Sequence, residues 1–168
     1  MTQAASPTVN SPSVPQTGPD LQGMAQAARK GARGVRAKLP LLGPVAWLMM
    51  QQPGTRHTLL SELEWRVMPA LMLQQAKLYM RDEAPLAYVS WARLSPEAAL
   101  RYRGAPHQLA AADWKSGDQV WLVDLFTPFG GAMDVLADLR TQVFPGEVIH
   151  QLAPASTALA DVITWPAQ

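Results

Sequence analysis

Asp113-Trp114-Lys115-Ser116-Gly117-Asp118-Gln119-Val120-Trp121-Leu122-Val123-Asp124-Leu125-Phe126-Thr127-Pro128-Phe129-Gly130-Gly131 carries most of the architectural information in the chain. Lys115 to Asp118 has the composition of a turn. Gln119 to Phe126 is the strongest strand, rich in β-branched and aromatic residues and interrupted by one charge, Asp124. Pro128 to Gly131 is a loop. A helix then runs from Ala132 to about Val143, with Met133, Leu136 and Leu139 on one stripe, until Pro145-Gly146 stops it.

Upstream, Leu41, Leu42, Val45, Leu48 and Met49 fall at helical spacing. Pro53-Gly54 breaks that pattern. Leu59, Leu60, Leu63, Val67 and Met68 predict a second helix up to Pro69. Lys77 to Met80 and Leu86 to Leu94 read as a hairpin joined by the turn Arg81 to Pro85. Ser95-Pro96-Glu97 opens a short helix, with Ser as N-cap and Pro at N1, ending by Gly104. Val148 to Leu152 and Val162 to Trp165 read as closing strands. The order predicts an α/β sandwich built on a mixed, mainly antiparallel sheet flanked by helices.

Residues 1 to about 20 are polar and proline-rich, too poor in large apolar side chains to offset their ordering entropy. Arg29, Lys30, Arg33, Arg36 and Lys38 then form the one clear charge run. Residues 1–38 are therefore read as a disordered, basic tail: a solvated linker, or an arm that docks an acidic partner. The folded domain is 39–168.

The chain of 168 residues suits one domain with a core of ordinary size. It contains no Cys, which excludes disulfides, zinc–thiolate sites and a cysteine nucleophile. Its three His show no metal-ligand spacing, so no metal site is expected. A formal net charge of +1 gives no global attraction to nucleic acid. The longest apolar run, Leu39 to Met50, is too short for a membrane helix and contains Pro44. No secretory signal is evident, and a cytoplasmic location is expected.

Asp124 is the most informative position. A carboxylate inside an apolar strand is costly unless it is hydrogen-bonded or paired. It either caps the loop, pairs with an Arg, or serves a ligand. Pro128, Phe129, Gly130 and Gly131 offer backbone N–H groups to an anion or a carbonyl oxygen, or are a plain turn. Of His57, His107 and His150, His57 is the best candidate base, because it lies in the polar break between two helices. Asp113 to Asp118 is a structured turn or part of a site.

Three stretches resemble the RTX toxin-activating lysine acyltransferases. They are Leu42-Gly43 with Ala46-Trp47-Leu48; Arg81-Asp82 and Pro85 leading to Leu86 through Ser90-Trp91-Ala92; and Asp113-Trp114-Lys115-Ser116-Gly117-Asp118, Trp121, Asp124 and Pro128-Phe129-Gly130. Leu139-Arg140 and Phe144-Pro145 continue the similarity, which covers about residues 41 to 152. It implies a fold similar to the GNAT acetyltransferases and transfer of a fatty acyl chain to internal lysines of an RTX protoxin. The donor it implies is acyl carrier protein bearing an acylated phosphopantetheine, with no permanently bound cofactor and a possible homodimer. It also implies a catalytic His and Asp. The Asp matches Asp124. The His aligns with Thr55, two positions before His57, so either His57 has taken over the role or the chain is a non-catalytic member that binds protoxin or acyl carrier protein. A coenzyme A-dependent acetyltransferase is disfavoured, since the phosphate loop of that class is absent.

Overall fold

The computed structural model describes residues 21–32, 37–154 and 158–167. They belong to two compact units, Met1–Arg33 and Gly34–Gln168. In the first unit, α1 (Leu21–Ala32) takes in Arg29 and Lys30. Its Ala, Gln and Met residues favour helix, a local preference that a reading weighted on charge underrates. Arg33, Arg36 and the polar segment 1–20 lie outside the described residues.

The second unit opens with α2 (Leu39–Gln51). A 3₁₀ turn (Leu60–Glu62), α3 (Leu63–Arg66) and α4 (Met68–Met72) follow. The single helix expected up to Pro69 is thus broken into short pieces. Pro69 lacks an N–H and its ring excludes the carbonyl four residues back, so the chain turns at Val67 and restarts. The hairpin forms as expected: β1 (Ala76–Arg81) and β2 (Ala84–Leu94) join through Asp82 and Glu83, at φ 49° and 67°. Positive φ at both central residues matches the right-handed twist of the strands. α5 (Pro96–Arg103) is capped by Ser95, whose Oγ accepts from the Ala98 N–H at 3.2 Å. Then come β3 (Gln119–Phe126), α6 (Ala132–Asp138), a π-helical turn (Leu139–Val143), β4 (Ile149–Leu152) and β5 (Val162–Trp165).

The five strands lie in chain order in one sheet. Every pairing is antiparallel except β3 with β4, which run parallel across the α6 crossover. This is the mixed, mainly antiparallel sheet between helices that the sequence implied. One face packs under α2 to α5, burying Tyr88 and Phe126 with Val45, Leu48 and Leu63, and Trp121 and Trp114 with Ala98 and Tyr102. The other face buries Val89, Trp91, Val120 and Leu122 against Val135 and Leu139.

Two details position the candidate site. The β2–β3 register pairs Ser90 with Asp124 but Trp91 with Leu122, leaving Val123 as an extra residue. This bulge reverses the alternation of β3. Without it Asp124 would share a face with Leu122 and Val120; with it, Asp124 joins Trp121 and Phe126 beneath the helices. Secondly, β4 pairs with β3 only from Val120 to Leu122. Further along, the Gln52 side chain takes the groups a parallel neighbour would take. Its Nε2 donates to Leu125 O at 3.4 Å, and its Oε1 accepts from Thr127 N at 2.9 Å.

The Asp113–Asp118 motif proves to be a structured turn. Asp113 meets Arg101 and accepts from the Ala110 N–H, and Ser116 Oγ accepts from the Ser95 N–H. A Cβ on Gly117 would stand 2.5 Å from Ser95 Cα and 2.6 Å from Leu94 O. Backbone cannot yield as a flexible side chain can, so Gly117→Ala is expected to cost about 1–3 kcal/mol of stability. Urea unfolding of the variant checks this; an unchanged midpoint would contradict it.

Candidate active site

Asp124 is 3% exposed and lies midway along the helix-covered face of β3. Its Oδ1 accepts from Arg66 Nε at 2.7 Å and Nη2 at 2.5 Å. Arg66 ends α3, and its guanidinium also lies over the Phe126 ring, 5.5 Å from the centroid. The Phe126 ring in turn stacks on Tyr88 at 5.5 Å. The carboxylate's second oxygen, Oδ2, is buried without a hydrogen-bond partner. Unpartnered buried polar atoms are rare in native folds. Here the orphan oxygen shares its face with two buried hydroxyls, Ser90 directly across from Asp124 and Tyr88 two residues along.

The electrostatics follow from burial. Loss of water pushes the Asp124 carboxyl up from its ordinary value, and the Arg66 guanidinium pulls it back without cancelling the effect. Burial also pushes the Tyr88 and Tyr102 phenols up, reinforced by the Asp124 charge, so both stay neutral donors at any working pH.

The other expected site residues sit elsewhere. His57 is exposed in the Gln52–His57 turn and neither hydrogen-bonds nor pairs with Asp124, which Arg66 holds. The partner of Asp124 is Arg66, one of the readings the sequence left open. Thr55, at the position the family's His would take, is buried and donates its hydroxyl to Met49 O at 2.8 Å. It lines an apolar pocket of about 190 Å³ with Ala46, Met49, Met50, Leu59 and Leu63. His107 approaches Tyr102 O through Nδ1 at 3.3 Å, and His150 lies against Trp121 at 5.1 Å; neither contacts Asp124.

In the loop after β3, Gly130 and Gly131 adopt φ of 92° and 82°, where a side chain is strained. The Gly130 N–H is spent inside the turn, donating to Thr127 O at 2.9 Å. Phe129, Gly130 and Gly131 line a pocket of about 340 Å³ with Tyr79, Leu86, Ala87 and Val135; Pro128 is not among its lining residues. Ala87 and Val135 belong to the sheet face opposite Asp124. Phe129 also meets Trp47 of α2, ring centroids 5.6 Å apart and both rings exposed. Two motifs far apart in sequence therefore meet at the end of β3.

Arg66 and Gln52 had no functional signal in the sequence. Arg66 falls on a broken helical pattern and Gln52 at a helix end, where both types ordinarily face solvent. Among the described residues, no group of three His, Cys, Asp or Glu could hold a metal ion, and no helix is long and apolar enough to cross a membrane.

The chain is 36% identical over 118 residues to the protein-lysine myristoyltransferase HlyC of Escherichia coli, covering 70% of this chain and 69% of that protein. It is 43% identical over 112 residues to the leukotoxin-activating lysine-acyltransferase LtxC of Aggregatibacter actinomycetemcomitans, covering 67% of this chain and 66% of that protein. With the protein-lysine myristoyltransferase RtxC of Kingella kingae the identity is 40% over 103 residues, covering 61% and 62%. The matched segments thus span about two thirds of these relatives' length. The model of the RTX toxin acyltransferase family matches residues 35–166, nearly the whole of the second unit, and the chain belongs to that family.

Proposed function

We propose that the chain is a protein-lysine acyltransferase that moves a fatty acyl group onto internal lysines of an RTX-type protoxin in the cytoplasm. The observation that carries this reading is the family match across residues 35–166, which contains Asp124 and every motif around it. The donor is acyl carrier protein bearing an acylated phosphopantetheine. This partner is acidic, and Arg29 on α1 is exposed to meet it.

At pH 7 only about one lysine in a thousand is neutral, and a thioester is attacked by the neutral amine. A base must therefore take the lysine proton as nitrogen attacks the acyl carbon. The carbon–sulfur bond then breaks, and the leaving thiolate takes a proton. We assign the base to His57 and the stabilisation of its charged form to Asp124. Contact between them needs the Gln52–His57 turn to move inward when the donor binds, since the resting structure keeps His57 outside. The loop Pro128, Phe129, Gly130 and Gly131 at the end of β3 would offer backbone N–H groups to the thioester oxygen; with Gly130 committed to its turn, Gly131 is the glycine left to serve.

One observation favours a second reading. Thr55 holds the family's His position in a buried bond to Met49 O. A chain so arranged binds protoxin or acyl carrier protein without catalysis. The two readings separate in one assay. Purified chain is mixed with a lysine-bearing RTX-type acceptor and either acylated carrier protein or acyl-coenzyme A. Amide-linked fatty acid from the carrier-protein donor supports the transferase. Stable complex formation with no transfer from either donor supports the binder and overturns the transferase.

A further inference from the structure

We infer that Arg66 is the positioning residue of the site: its guanidinium fixes Asp124 through Oδ1 and leaves Oδ2 as the one carboxylate oxygen free to receive another group. The inference deepens the acyltransferase reading and rests on it for its catalytic consequence, though not for its geometry.

Both Arg66 contacts, from Nε at 2.7 Å and Nη2 at 2.5 Å, converge on one oxygen. Two donors from a rigid planar group fix the carboxylate better than one flexible ammonium does. The guanidinium itself lies over the Phe126 ring, which stacks on Tyr88. Its side chain is 23% exposed and that of Asp124 is 1%, so Arg66 spans from solvent to a carboxylate that water does not reach.

Among the described residues, Arg66 is the one cation that acts on Asp124. From β2, Asp124 faces Ser90 and Tyr88, whose hydroxyls carry no charge. From α5 it faces Tyr102, also neutral. The α2 and α4 sequences contain no titratable side chain. Glu62, in the turn before α3, acts on Arg66 and not on Asp124. A carboxylate buried without a cation takes up a proton. The ionised form of Asp124, which an imidazolium or a lysine ammonium needs as counter-ion, therefore depends on Arg66.

The sign can be worked through. Burial raises the Asp124 carboxyl and Arg66 lowers it, so removing Arg66 raises it further. The acid limb of the transfer rate must then move to higher pH. A merely structural Arg66 would lower the rate equally at all pH.

The test uses the full chain and two readouts. Side-chain carboxyl ¹³C resonances of aspartate-labelled protein are titrated, with Asp124 assigned by its loss in Asp124→Asn. In Arg66→Gln the Asp124 midpoint is expected to move up by about 1–3 pH units, the usual effect of an adjacent Arg. In Arg66→Lys, which keeps a cation, it is expected to stay near the wild-type midpoint. The pH–rate profile of each variant is expected to follow its midpoint. An unchanged midpoint in Arg66→Gln, or a uniform rate loss with an unmoved acid limb, overturns the inference. A shifted midpoint in a chain whose wild type transfers nothing supports it while refuting the acyltransferase reading, so the two failures are distinct.

Discussion

Asp124→Asn is expected to reduce acyl transfer by about 10²-fold or more, the usual scale for a group that supports proton transfer, while leaving the fold in place. Asn keeps the size of Asp and an oxygen that accepts from Arg66 Nε, so the seam between α3 and β3 is still filled. What it loses is the negative charge that stabilises a protonated base. It also leaves the Arg66 guanidinium without its counter-ion, and the partial exposure of that side chain lets water compensate. The far-ultraviolet spectrum should match wild type and transfer should be near background. A folded Asp124→Asn chain that transfers at the wild-type rate would remove Asp124 from the mechanism.

The second large effect concerns the base. His57→Ala is expected to lower the rate by about 10²-fold or more. Thr55→Ala is expected to change it little, because a hydroxyl is too weak a base at neutral pH and that of Thr55 is spent on Met49 O. Thr55→His places an imidazole beside the apolar pocket lined by Met49, Met50 and Leu63, and is expected to restore activity to the His57→Ala chain, at least in part. Rates from single-turnover transfer check all three. Full activity in His57→Ala would show that the exposed His57 is not the base. Activity confined to Thr55→His would mean that the natural chain binds and does not catalyse.

The elements that the sequence made legible were those whose local signals agree with their packing. Ser95-Pro96 set the start of α5, and the continuous apolar run set β3 at its observed bounds. Pro69 was legible as a boundary, yet Leu59 to Met68 was read as one helix, since periodicity does not show that the chain turns at Val67. Of the candidate site, only Asp124 stands out in the sequence, because a charge within an apolar strand is conspicuous. Its surroundings were not. The face on which Asp124 lies depends on the Val123 bulge, and a run apolar on both faces carries no alternation from which a bulge could be read. Arg66 and Gln52 are 58 and 73 residues from their β3 partners, so only the fold brings them there.

The most direct measurement is the intact mass of an RTX-type acceptor co-expressed with this chain, followed by peptide mapping of any increment. The account predicts a fatty acyl increment on one or more internal lysines, absent when Asp124→Asn replaces the wild-type chain. An acceptor of unmodified mass, or one carrying only acetyl groups, would contradict it.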